Sequence, residues 1–126
     1  MLFDHPAVPT LAVSDLSRAR EFYEGVLGFK PQGGPAEGVM YGVASGSVLV
    51  YPSAFAGTNK ATSVSFQVPD EVFGAEVDAL RDKGVSYQTF EAEGITWDGD
   101  VARYADMRAV WFADPDGNII NLETGT

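Results

Sequence analysis

The sequence predicts an α+β fold built twice, as two β-α-β-β-β modules in one domain of 126 residues. Three observations predict it. Each half opens on a short apolar strand that runs into a capping segment, Val13-Ser14-Asp15 in the first and Val68-Pro69-Asp70 in the second. Each capped segment carries apolar residues at helical spacing and stops at a glycine, Gly28 or Gly84. Each half then returns through strands joined by tight turns. Self-similarity of this kind marks repeated units, each with a sheet face it cannot bury alone. The repeats fall at about residues 6–53 and 61–124.

In order, Val8 to Val13 reads as a strand, and Ser14 or Asp15 caps a helix with Leu16, Ala19, Phe22, Tyr23, Val26 and Leu27 on one face. A strand over Phe29–Gln32 and a loop at Gly33-Gly34-Pro35 follow. Val39–Ala44 and Ser47–Tyr51 form a hairpin about Ser45-Gly46. In the second half Thr62–Val68 is a strand and Asp70 caps a helix with Phe73, Val77 and Leu80 as its stripe. Val85–Phe90 is a strand, and a long loop spans Glu91–Asp106. The last hairpin, Trp111 to Glu123, turns at Asp114-Pro115-Asp116-Gly117-Asn118. There proline presets φ and the Asp and Asn side chains bond local amides.

Composition bounds the function. A hydrophobic content of 45% suits a folded core, and no apolar run reaches the roughly 20 residues that span a bilayer. The opening Met-Leu-Phe-Asp-His-Pro shows no basic segment followed by an apolar one, so a cytoplasmic location is expected. The absence of cysteine removes disulfides, thiolate metal sites and a cysteine nucleophile. The single histidine, His5, removes any metal site needing two or three histidines from one chain. Eighteen acidic against eight basic residues give a net charge of -10, which argues against nucleic-acid and anionic-membrane partners and favours a cationic ligand.

The segment Leu11-x-Val13-x-Asp15-Leu16 continuing to Glu21-Phe22-Tyr23-x-x-Val26-Leu27-Gly28-Phe29, with Asp114-Pro115-Asp116-Gly117-Asn118 near the end, resembles the vicinal oxygen chelate superfamily. This is the group of glyoxalase I, extradiol dioxygenases and bleomycin-resistance proteins. The resemblance covers essentially the whole chain. It implies two βαβββ modules whose mixed sheets curl around a shared cavity, commonly in a homodimer.

Strand alternation selects the residues facing that cavity. Val64, Phe66 and Val68 take the helix side, leaving Ser63, Ser65 and Gln67 on the concave face. In the first strand Leu11 and Val13 take the helix side, leaving Val8, Thr10 and Ala12 concave. A turn at Ser45-Gly46 pairs Ala44 with Ser47, and the family's register places Val48 and Val50 on the concave face with Tyr41 and Val43 opposite them. Pairing Ala113 with Ile119 adds Met107, Ala109, Trp111 and Asn121.

Metal-dependent relatives place one His, Glu or Gln ligand on each of four strands. By register those positions fall on Val8, Val50, Ser63 and Asn121, two of them hydrocarbon and none charged. Zinc and magnesium-type ions need more than one amide oxygen and a serine, so no metal or other cofactor is expected. Isomerase or dioxygenase chemistry would lack its Lewis acid. Ser63 has neither a G-x-S-x-G elbow nor a histidine partner for a hydrolase triad.

A small-molecule binding site remains, with Tyr41, Val50, Ser63, Ser65, Gln67, Trp111 and Asn121 as its lining. Trp97 with Asp98 and Asp100 in the long loop would clamp a cationic or aromatic ligand. The sequence thus leans away from catalysis toward a metal-free protein that sequesters a cationic or aromatic compound. The alternative is a lyase, isomerase or dioxygenase-like enzyme of the same superfamily with an atypical or shifted site, using Tyr41, Asp98 or Asp100 for acid–base work.

Overall fold

The computed structural model describes residues 1–33 and 37–125, except the side chain of Leu2. The chain divides into two compact units. The first holds Met1–Ser63 together with the turn Asp114–Asn118, and the second holds Val64–Ala113 and the chain from Ile119.

The first unit follows the expected β-α-β-β-β order. Strand β1 (Thr10–Val13) leads into α1 (Leu16–Arg20), then β2 (Lys30–Pro31), β3 (Val39–Val43) and β4 (Gly46–Pro52). The Asp15 side chain caps α1 by accepting from the Arg18 amide. Beyond Arg20 the helix widens into a π-helical stretch, Glu21–Val26, with the Leu27 amide bonded to the Phe22 carbonyl. Gly28 ends it at φ +75, where a side chain would be strained. Residues 34–36 of the loop expected at Gly33-Gly34-Pro35 lie outside the described residues.

The sheet order is β1-β4-β3-β2, with β1 parallel to β4 and the other pairs antiparallel. The hairpin turns one residue earlier than expected. Val43 pairs with Gly46 and Gly42 with Ser47, so Ala44-Ser45 forms the turn and Gly46 already belongs to β4.

The face assignment in this unit also needs correction. Val50 is the partner of Leu11 and of Val39, Tyr41 pairs with Val48, and all five are buried. The Tyr41 ring stacks on Tyr23 of the π-helical stretch at 6.0 Å, so this is the helix side of the sheet. Tyr41, Val48 and Val50 are therefore core. Alternation could not decide the matter because both faces of β4 are apolar, Val48 and Val50 against Leu49 and Tyr51. Packing of the two tyrosines decides it.

In the second unit the strands run β5 (Thr62–Gln67), β6 (Thr96–Asp98), β7 (Val101–Tyr104), β8 (Met107–Ala113) and β9 (Ile119–Glu123), with α2 (Asp70–Asp82) after β5. The unit boundary falls within β5, after Ser63. The sheet order is β5-β9-β8-β7-β6. Pro69, not Asp70, occupies the cap position of α2, and Asp70 instead pairs with Arg108 at 2.9 Å. Phe73 and Val77 are the buried stripe, and Gly84 follows the helix at φ +94.

Two expectations fail here. Val85–Phe90 is not a strand, and the loop expected over Glu91–Asp106 contains the β6–β7 hairpin. The two corrections are linked. β7 takes the edge of β8 as far as Ala109, and the 85–90 segment meets that strand through the bond from the Gln88 amide to the Trp111 carbonyl. The last hairpin matches expectation, with Ala113 paired to Ile119 and Trp111 to Asn121. Among the described residues no helix is long and apolar enough to cross a membrane.

Candidate functional site

The Asp114–Asn118 turn, conspicuous for its two aspartates, is built as structure. Asp114 is 5% exposed. Its Oδ1 accepts from the amides of Asp116 and Asn118, and its Oδ2 accepts from Asn118 Nδ2 and from the Tyr23 hydroxyl at 2.8 Å. Asn118 Nδ2 also donates to the Ala12 carbonyl of β1. Asp116 Oδ1 accepts from the Ser14 amide and hydroxyl and from Arg18. Every contact serves to anchor the turn to the start of the first module.

Burial is the main force on four of the tyrosines, Tyr23, Tyr41, Tyr87 and Tyr104. It pushes Tyr23 far up, with the Asp114 charge and hydrogen bond adding to it. Tyr41 is raised by burial and then by its hydrogen bond to Glu24 at 2.8 Å. Tyr87 and Tyr104 are each pushed up to about 12, again mainly by burial. A raised phenol pKa contributes stability that is complete below the unfolded value of about 10 and is lost as pH rises through the folded value. At pH 11 the phenolate absorbance of native protein at 295 nm should therefore be well below that of urea-unfolded protein, the difference coming from these four tyrosines. Full ionisation of native protein near pH 10 would contradict these environments.

The second sheet carries the more informative surface. Phe73 of α2 packs under the Arg108 guanidinium at 4.7 Å, and Tyr87, whose hydroxyl donates to the Val77 carbonyl, meets Phe112 edge-on. Arg108 and Phe112 therefore mark the helix side, and the register places Trp97, Trp111, Asn121 and Glu123 on the open face. On it Phe90, Trp97 and Trp111 form an aromatic cluster. Phe90 meets Trp111 at 4.9 Å and Trp97 at 5.4 Å, and the two tryptophans lie 6.3 Å apart. A cavity of about 400 Å³ is lined by Thr89, Phe90, Glu91, Trp97 and Gly99. Phe90, 43% exposed, was missed from the sequence because Val85–Phe90 read as an ordinary strand.

Of the other residues predicted for the site, Gln67 lies on the open face and donates to Glu123 at 3.1 Å. Ser65 shares its side of β5 and is exposed. Ser63, in the first unit, accepts from Asn59 Nδ2. Asn121 is 3% exposed and donates to the backbone carbonyls of Val110 and Leu122. The clamp expected from Trp97 with Asp98 does not form. As neighbours on a strand they face opposite sides, and Asp98 lies 3.8 Å from Arg103. Asp100 is held by Arg81 at 2.7 Å. The acid–base candidates Tyr41, Asp98 and Asp100 are thus engaged in three separate places.

The donor set at the metal-ligand positions implied by the family pattern does not fit a metal ion. Val8 and Val50 are hydrocarbon, and Leu49, which alternation places on the opposite face from Val50, is hydrocarbon as well. Asn121 turns its amide nitrogen to backbone carbonyls. Among the described residues no three His, Cys, Asp or Glu side chains lie close enough to hold a metal.

The family model described as Glyoxalase/Bleomycin resistance protein/Dioxygenase superfamily matches residues 2–122. The chain belongs to that superfamily. Among solved structures, this superfamily member is similar to the fosfomycin resistance protein FosX from Mesorhizobium loti. That match has 19% identity and a TM-score of 0.69, over 100% of this chain and 95% of that one. Lactoylglutathione lyase from Agrobacterium tumefaciens gives 15% identity and a TM-score of 0.72, over 96% and 93% of the two chains. An integron cassette protein from the Halifax Harbour sewage outfall metagenome gives 21% and 0.70, over 96% and 98%. These likenesses establish the fold. Among curated proteins no sequence matches the chain.

Proposed function

We propose that this superfamily member is a metal-independent small-molecule-binding protein that holds a planar aromatic compound on the open face of its second sheet. The observation that carries the proposal is the Phe90–Trp97–Trp111 cluster beside a cavity of about 400 Å³. Partly exposed rings at edge-on angles offer surfaces on which a planar ligand stacks, and small-molecule pockets typically combine such walls with a few polar groups. The net charge of -10 draws cations toward the surface, so cationic aromatic compounds, bleomycin among them, are the first class to try. The same proposal includes a homodimer in the cytoplasm, with the exposed Phe3 and Phe55 available for burial between copies.

Both tryptophans of the chain belong to the cluster, so intrinsic fluorescence reports on the site directly. Titration with a panel of cationic aromatic compounds should quench or shift that emission saturably and raise the melting temperature. A panel that leaves emission and melting temperature unchanged would remove the proposal. Sedimentation of a monomer at micromolar concentration would remove the dimer alone.

A further inference from the structure

The open face of the second sheet carries one charge among its strand residues, and among the described residues that charge has no counter-ion. Register and alternation place Arg103, Arg108 and Asp98 on the helix side. Glu123 lies on the open face, reached from Trp97 by a row of direct cross-strand partners, Ala102 and Ala109. Its two oxygens accept from Gln67 Nε2 at 3.1 Å and the Tyr104 hydroxyl at 2.7 Å, both neutral donors. No ion pair among the described residues includes it. A carboxylate has about four acceptor positions, so two stay open after these bonds.

A half-buried carboxylate on an aromatic face, oriented from two sides by neutral groups and unpaired with any cation among the described residues, suits a ligand that brings the cation. Trp111 pairs with Asn121, so Trp111 and Glu123 are diagonal neighbours on one face. Such neighbours lie about 7–8 Å apart. Glu91, the charged residue lining the aromatic cavity, is acidic too.

Resting on the aromatic site proposed above, we infer that Glu123 is its anionic anchor, held by Tyr104 and Gln67. The ligand it selects carries an ammonium group joined by a short linker to a planar ring that stacks on Trp111. The ammonium donates to the free lone pairs of the carboxylate, a charge-assisted bond of the stronger kind. Glu123 stands two residues beyond Asn121, on the same face, so the chain keeps a carboxylate on this strand in a setting suited to an organic cation.

The test uses a matched pair of probes, 4-nitrophenethylamine and the neutral 2-(4-nitrophenyl)ethanol, titrated calorimetrically into the wild-type chain and E123Q. Glutamine removes the charge and keeps an acceptor for the Tyr104 hydroxyl, while its amide nitrogen turns to Gln67, whose own amide can flip to accept it. The expected result is at least tenfold tighter binding of the amine by wild type. In E123Q that preference should fall to about one, with the alcohol unchanged. Equal binding of the two probes by wild type, or an amine preference that survives in E123Q, would overturn the anchor while leaving the aromatic site standing. Failure of both probes to bind wild type would overturn the site and the anchor together.

Discussion

Asp114→Ala should lower the stability of the fold by about 3–5 kcal/mol. The side chain is 5% exposed and serves four donors: the Tyr23 hydroxyl, the Asp116 amide, and the backbone and side-chain nitrogens of Asn118. Alanine satisfies none of them. Each buried donor left without an acceptor costs about 1–3 kcal/mol, and local relaxation with entry of water recovers part of the total. Tyr23 is fully buried, and its hydroxyl bonds Asp114. Urea denaturation checks the expectation through a lower midpoint at unchanged slope. A loss below about 1 kcal/mol would show that the turn is not held as described.

Trp111→Ala should weaken binding of aromatic ligands about 30- to 100-fold, equivalent to about 2–3 kcal/mol. Trp111 contacts both Phe90 and Trp97, so its removal takes away one stacking surface and loosens the other two. Conversion of Trp97 to phenylalanine should cost less, since an aromatic face remains. Calorimetry on the two variants, with melting curves to confirm folding, separates loss of contact from loss of structure. Equal, small effects of both changes would place the ligand elsewhere.

Much of the fold is legible in local sequence. The Asp15 cap, Gly28 and Gly84 at positive φ, and the Ala113–Ile119 register each rest on neighbours a few residues away. The open face of the second sheet was legible for the same reason, because Ser63, Ser65 and Gln67 alternate cleanly with Val64, Phe66 and Val68. Other features depend on distant partners. Tyr41 and Val50 are core because Tyr23 and Leu11 pack against them, and nothing in β4 itself distinguishes its two apolar faces. The 85–90 segment meets β8 only beyond Ala109, because β7 takes the rest of that edge. Glu123 became notable only once the register showed it alone among charges on its face. Asp98 and Asp100 drop out because strand alternation and Arg81 direct them away from Trp97.

Metal-independent binding at the aromatic face is tested most directly by calorimetric titration of one aromatic amine, 4-nitrophenethylamine, before and after exhaustive dialysis against EDTA. Metal content should be measured on the same samples. Saturable binding with an unchanged Kd and no stoichiometric metal is the predicted result. Binding that disappears with EDTA and returns with a divalent ion would contradict it.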